Sequence, residues 1–134
     1  MTVSQIKNSI SYCGLICCFC NVKADCDCKT NNHCCKRLSI EGCYQYECCR
    51  AKGLNGCWEC ADFPCNNDMY ATGNFKPKVF ARCIKEDGID NFAQYIWRNH
   101  QNGVIYNTSA QGDDYGLDCE ESLLKLIRTG CNLS

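Results

Sequence analysis

The cysteines between positions 48 and 65 have the clearest capacity for chemistry. Cys57 and Cys60 are separated by two residues, and Cys48 and Cys65 stand on either side of them. A C-x-x-C turn directs both sulfurs toward one point, and tetrahedral zinc accepts thiolates at about 2.3 Å. Gly53 is expected to end a short helix ahead of this turn. The spacing therefore predicts zinc ligands at Cys48, Cys57, Cys60 and Cys65.

A second group of thiols lies closer to the N-terminus. Cys13, Cys17 and Cys20 have C-x-x-x-C-x-x-C spacing, and Gly14 permits a sharp turn between the first two. The same spacing holds an iron–sulfur cluster in radical S-adenosylmethionine enzymes, which enclose that cluster in a barrel of about 200 residues or more. This chain has no comparable alternation of strands and helices. Zinc is therefore the preferred metal for this group as well.

A polar segment at residues 25–35 adds further possible ligands. It has little to bury, and such a composition stays disordered unless something cross-links it. Metal is the expected cross-link, and His33 could take part through an imidazole nitrogen. The roles of Cys18, His33, Cys34, Cys35 and Cys49 stay open. The predicted metal ligands are Cys13, Cys17, Cys20, Cys26, Cys28, Cys43, Cys48, Cys57, Cys60 and Cys65.

Composition limits the compartment and the partners. The chain has 17 cysteines in 134 residues, an odd count that includes three adjacent pairs and argues against a secreted disulfide scaffold. The N-terminal residues lack the apolar region of a signal peptide, so a reduced, cytoplasmic protein is expected. The formal charge of −1, with scattered basic residues, argues against nucleic acid and anionic membranes as partners. No apolar run approaches the roughly 20 residues of a membrane helix.

Helical periodicity dominates after residue 66. Pro77 is expected to begin a helix that ends at Gly88, and Asp90 to N-cap a second helix. Asp118 and Glu121 resemble a capping box for a third helix. The residues predicted to face the core are Val79, Phe80, Cys83, Ile84, Phe92, Tyr95, Ile96, Leu123, Leu124 and Ile127.

The predicted fold is small, mainly α, organised by metal and completed by irregular cysteine-rich loops. Residues 1–65 contain only 12 Val, Ile, Leu, Phe and Trp, too few for an independent core. A structural zinc contributes about 10–16 kcal/mol of apparent folding free energy, so two or three ions would replace that core. We expect a single domain, residues 1–134, in which a zinc-stabilised lobe (12–65) packs on a three-helix lobe (66–134). A short strand is expected at residues 104–106.

Several motifs occur in an order that resembles a known family. They are Tyr12-Cys13-Gly14-Leu15-x-Cys17-x-x-Cys20, then Cys43-x4-Cys48, and Lys52-Gly53 followed by Cys57-x-x-Cys60-x-x-Phe63-Pro64-Cys65. This set resembles the cysteine-rich prokaryotic family called domain of unknown function 3795. The resemblance implies a small zinc-binding fold without an established activity. The chain departs from the family pattern at Cys26-Asp27-Cys28, where a C-x-x-C pair is usual, and at Asn21, where Pro is usual.

Three functions are compatible with these patterns. The preferred one is a zinc-binding protein whose closed all-cysteine sites are structural and support a surface for an unknown protein or small-molecule ligand. The first alternative is a thiolate-rich store or sensor for Zn or Cu(I). The second is a redox or iron–sulfur protein that uses Cys57 and Cys60 or the N-terminal cluster. A redox C-x-x-C pair normally begins a helix after a strand, whereas Cys57 and Cys60 lie in a run of further cysteines. The sequence also has no phosphate loop and no triad pattern, so it does not identify a substrate.

Overall fold

The computed structural model describes residues 2–16, 44–63, 65, 67, 70–71, 75–104, 106 and 119–130. Within these residues the chain is mainly helical, as predicted, and the only β-type pairing is an antiparallel bridge between Ile10 and Ile16. A 3-10 turn follows the second helix, at Cys57–Glu59. The α-helices of the described residues are α1 (Val3–Asn8), α2 (Tyr44–Lys52), α3 (Lys76–Asp87), α4 (Ile89–Gln101) and α5 (Glu120–Thr129).

The main core lies where α3, α4 and α5 pack against one another. Each of these helices carries apolar residues at helical spacing, so one face of each is removed from water. The core-facing residues predicted for this half are buried, apart from Tyr95, which is only partly buried. Phe80 lies at the centre of the core and makes edge-on contacts with Phe92 and Tyr106, at centroid distances of 5.5 and 6.2 Å.

The N-terminal part of the chain contributes to the same core. Ile6 and Ile10 are fully buried in it, α1 packs on α4, and the 3-10 turn packs on α3 through Trp58. The backbone of Gly14, with a φ of +103°, lies so close to α3 that a Cβ atom there would stand 2.8 Å from the amide nitrogen of Ala81. Glycine at this position therefore allows the loop that carries Cys13 to contact α3.

The helix boundaries differ from the prediction at the start of α4. Gly88 ends α3 and is also the N-cap of α4, so no linker separates the two helices. Asp90 was the predicted N-cap, but it lies in the first turn of α4, where its carboxylate pairs with Lys7 of α1 at 2.7 Å. An acidic group is favourable there because the helix dipole is positive at its N-terminus.

The capping box predicted for the third helix and the predicted strand also need correction. The N-cap of α5 is Cys119, and Glu121 pairs with Arg82 of α3 at 2.8 Å. Asp118 lies outside the described residues. Val104 and Tyr106 are not in a strand, and Ile105 is not described. In place of strand pairing, the Val104 amide donates to the carbonyl of Asn99 at 2.9 Å, and the Tyr106 hydroxyl accepts a hydrogen bond from the Asn99 side chain at 2.8 Å.

Polar contacts fix the ends of α4 and α5 to each other. The buried side chain of Asn99 donates to the carbonyl oxygen of Ile127 at 2.9 Å, and Arg98 donates to that of Arg128 at 2.8 Å. Carbonyls in the last turn of a helix lack partners within the helix, so these bonds complete the C-terminus of α5. Over the part of the chain that the structure describes, no helix has the length and apolar character needed to cross a membrane.

Candidate functional site

Five cysteines line one pocket beside the main core. The pocket has a volume of about 280 Å³ and lies between α2, the 3-10 turn and the residues that follow the turn. Tyr44, Leu54, Phe63 and Tyr70 contribute apolar or aromatic surface, while Lys52, Asp62 and Asn67 contribute polar groups. The cysteines that line it are Cys48, Cys49, Cys57, Cys60 and Cys65.

Helix α2 presents one face to this pocket. Tyr44, Cys48 and Lys52 line it, and their spacing of four residues places them on the same side of the helix. Cys49 also lines the pocket, from a position about 100° around the helix from Cys48. The buried side chain of Gln45 donates from Nε2 to the carbonyl oxygen of Asn67 at 2.7 Å, which attaches α2 to the opposite wall. Gly53 follows the helix at a φ of +70°, as expected for the residue that ends it.

The floor of the pocket is formed by two buried thiols. The sulfurs of Cys49 and Cys57 lie 3.7 Å apart, and the two residues are 1% and 7% exposed. The Cys49 contact and burial both raise the pKa of the Cys57 thiol well above its ordinary value. Without a nearby cation, Cys57 therefore stays protonated at neutral pH.

Cys13 belongs to the same cluster of buried residues. Its sulfur lies 3.1 Å from the hydroxyl oxygen of Ser11, and its carbonyl oxygen accepts a hydrogen bond from the hydroxyl of Tyr70 at 3.0 Å. The backbone amide of Cys57 donates to the carbonyl of Tyr12 at 2.9 Å. The N-terminal loop is thus held against the turn that carries Cys57. Burial is the main reason that the pKa of Tyr70 is raised above its ordinary value.

Cys60 lies at the edge of the pocket and is only partly buried. Its sulfur is 3.4 Å from Nζ of Lys52 and 3.4 Å from the backbone nitrogen of Asp62, both of which donate to it. The contact with Cys60 is the largest of several that raise the pKa of Lys52 above its ordinary value. Glu59 accepts hydrogen bonds from the backbone amide and the side chain of Asn55, at 2.8 and 3.3 Å.

The predicted ligands divide into two groups. Cys13, Cys48, Cys57, Cys60 and Cys65 all lie in or against the pocket. The predictions for Cys17, Cys20, Cys26, Cys28 and Cys43 fall outside the described residues, as do Cys18, His33, Cys34 and Cys35. Cys49 was not predicted, although helical spacing places it beside Cys48 and four residues after buried Gln45.

The described thiols of the pocket lie near one another but are not arranged as the ligands of a metal ion. Among the described residues, no three side chains of His, Cys, Asp or Glu are arranged to hold a metal ion. Two further thiols behave differently from those of the pocket. Cys83 is buried in the main core, where desolvation raises its pKa to about 12, and Cys119 is exposed at the start of α5. Neither lines the pocket.

Comparisons with protein-family models, with curated proteins and with solved structures found no match for this chain. The resemblance to domain of unknown function 3795 therefore stays a prediction that rests on the cysteine motifs. Any statement about function has to come from the pocket itself.

Proposed function

We propose that this chain binds zinc through the thiolates of the cysteine pocket, and that the ion serves a structural role. The observation that carries the proposal is the distance of 3.7 Å between the sulfurs of Cys49 and Cys57. Two ligands of a tetrahedral ion with bonds of about 2.3 Å stand about 3.8 Å apart, whereas two ligands of a linear ion stand about 4.6 Å apart. The pair at the floor of the pocket thus has the spacing of one edge of a tetrahedral zinc site.

The remaining ligands would come from the partly buried cysteines around this pair. Cys60 would be the third ligand, and Cys48 or Cys65 the fourth. A step between staggered rotamers moves a cysteine sulfur by about 3 Å, and the open side of the pocket leaves room for such a step. Zinc binding would also convert the buried thiols to thiolates, since a coordinating thiol is deprotonated.

A zinc ion at this position would join three parts of the chain. Cys49 belongs to α2, Cys57 begins the 3-10 turn, and the backbone of Cys57 is bonded to the N-terminal loop. The ion would hold these segments together. Its role is then to support the surface around Tyr44, whose side chain is 42% exposed at the pocket, for contact with an unknown protein or small-molecule ligand.

Metal analysis of the full chain, purified without oxygen and with a reductant, tests this proposal. We expect two or three zinc ions per chain, one of them in the pocket and the others dependent on cysteines outside the described residues. Cys49→Ser and Cys57→Ser should each lower the zinc content by about one ion, because a four-ligand site rarely survives the loss of a buried ligand. Cys119→Ser and Cys83→Ala are the matched controls and should retain the wild-type content.

A cobalt(II) titration of the wild-type chain gives a second test that does not depend on whether the cysteine variants fold. A tetrahedral thiolate site gives intense visible absorption with cobalt, and zinc should displace it. A wild-type chain that binds neither metal would contradict the proposal. So would an equal loss of zinc from Cys49→Ser and Cys119→Ser.

A metal store or sensor is the second candidate, and the number of thiols favours it. Five cysteines line the pocket, one more than tetrahedral zinc uses, and three of them are partly exposed. Rapid exchange of the bound zinc with an added isotope, and uptake of more than one Cu(I) per pocket, would support a store over a structural site.

A dithiol catalyst receives less support from the geometry. The thiol in contact with Cys57 is Cys49, and both are buried, whereas a catalytic dithiol presents one exposed thiolate for attack.

A further inference from the structure

Lys52 is directed at the cysteine pocket, although it lies on the protein surface. Its Nζ atom is 3.4 Å from the sulfur of Cys60 and 3.7 Å from the nearest carboxylate oxygen of Asp62. The thiol is thus the closer of these two partners. The Asp62 side chain is 82% exposed and well solvated, so its attraction for Lys52 is weak.

The position of Lys52 on α2 explains part of this arrangement. A lysine in the last turn of a helix is favoured by the helix dipole, and Lys52 is the last residue of α2. Arg50 lies in the same turn, but its guanidinium stacks on the ring of Tyr46 at 5.2 Å. The dipole therefore accounts for basic residues in this turn but not for the contact of one of them with Cys60.

A cation beside a zinc site made of thiolates is electrostatically favourable. Four thiolates and one Zn²⁺ carry a net charge of −2, and N–H groups that bond to ligand sulfurs fix their orientation. Cys60 has two such donors, the ammonium group of Lys52 and the backbone amide of Asp62. The amide is set by the turn, so Lys52 is the donor that a side-chain substitution can remove.

We propose that Lys52 is a positioning residue of the metal site, which orients the Cys60 sulfur and offsets the negative charge that the site acquires. This inference rests on the proposed zinc function. Lys52 does not touch the metal itself, and it acts through Cys60.

The test compares zinc affinities of the full-length wild type, Lys52→Met, Lys52→Arg and Lys78→Met by competition with a chromophoric chelator. Methionine matches lysine in helix propensity, so helix stability is little changed. Lys78 pairs with Glu120 at 3.2 Å outside the pocket and controls for the loss of one surface charge. Groups that hydrogen-bond to metal ligands typically alter affinity by about 10- to 100-fold when they are removed.

We expect Lys52→Met to bind zinc about 10- to 100-fold more weakly, Lys52→Arg to recover part of the loss, and Lys78→Met to match the wild type. High salt should narrow the difference between wild type and Lys52→Met, because the charge is exposed and screened. Recovery by Lys52→Arg distinguishes this role from a loss of packing, because arginine restores both the charge and the N–H donors.

The two proposals fail in different ways. Equal zinc affinity of Lys52→Met and wild type would overturn the role of Lys52 and leave the zinc site in place. Equal losses in Lys52→Met and Lys78→Met would also overturn it, because net charge alone would then be responsible. Absence of zinc binding by the wild-type chain would remove both proposals.

Discussion

The helical core and the cysteine pocket bury different kinds of side chain. In the core, Phe80, Phe92, Leu123 and their neighbours are apolar and almost fully removed from water. Buried polar groups there have partners, as Asn99 has at the end of α5. In the pocket, the buried side chains include thiols, which are weak donors and weak acceptors. The sulfurs of the buried pair Cys49 and Cys57 lie 3.7 Å apart.

We infer from this difference that the pocket is the region that takes an added group. The described core is filled with apolar side chains that are almost fully buried. The pocket has a volume of about 280 Å³ and brings together five side chains that bind soft metals. If the comparison holds, removal of metal should lower amide protection around the pocket, and substitutions in the core should lower the free energy of unfolding.

The largest expected effect is that of a strong chelator on the full-length protein. Binding of a structural zinc supplies about 10–16 kcal/mol of apparent folding free energy in small domains, so its loss should release the segments around the pocket. We expect amide protection to fall in α2 and in the turn at 57–59, while most of α3 and α4 stays protected. Hydrogen exchange followed by mass spectrometry measures both regions in one sample.

Added zinc should restore the protection of α2 and the turn. If α3 and α4 lost protection to the same degree as α2, the two regions would form one cooperative unit and the comparison would fail. Unchanged protection everywhere would show that the bound metal has no structural role.

The second prediction concerns the centre of the core. Phe80→Ala should lower the free energy of unfolding by about 3–5 kcal/mol, because it leaves a cavity against Phe92 and Tyr106. Urea denaturation measures this loss. The milder Phe80→Leu should lose less than about 1.5 kcal/mol and serves where the alanine variant is mostly unfolded.

Zinc content separates the core from the pocket in the same variants. Folded Phe80→Leu should retain the wild-type zinc content, since Phe80 does not line the pocket. Loss of zinc from this variant would mean that packing in the core determines the geometry of the thiols.

Sequence periodicity was sufficient to predict much of the core. The apolar spacing in α3 and α5 is regular, and Gly88 and Gly130 follow the two helices as expected. The start of α4 was wrong because a capping aspartate and an acidic residue in the first turn look alike in sequence. The Asp90 partner, Lys7, is distant along the chain and appears beside it only when α1 packs on α4.

The pocket was predictable only in part, for a related reason. Local spacing predicted that Cys57 and Cys60 bind one metal ion, and this stays a prediction. The structure adds a contact between the sulfurs of Cys57 and Cys49 that the spacing did not predict. This contact depends on how the chain turns after α2, and cysteine spacing contains no information about that turn. The contact between Lys52 and Cys60 spans the same turn and was missed for the same reason.

The third and smallest expected effect is a change in how the free energy of unfolding depends on pH. It concerns Cys83, a thiol of the main core and not of the pocket. Burial raises the pKa of Cys83 from an ordinary value of 9.0 to about 12, with Asp87 adding to the shift and Arg128 opposing it. Between these two values the unfolded chain releases the thiol proton and the folded chain keeps it, so stability contributed by Cys83 is complete below pH 9 and declines as pH rises toward about 12. The slope from one such group is at most about 1.4 kcal/mol per pH unit. Cys83→Ala should therefore show a shallower loss of stability over this range than the wild type, when both are measured by urea denaturation at several pH values.

The pocket thiols are common to both proteins, so they do not affect the difference. Equal slopes would show that Cys83 titrates as it does in the unfolded chain.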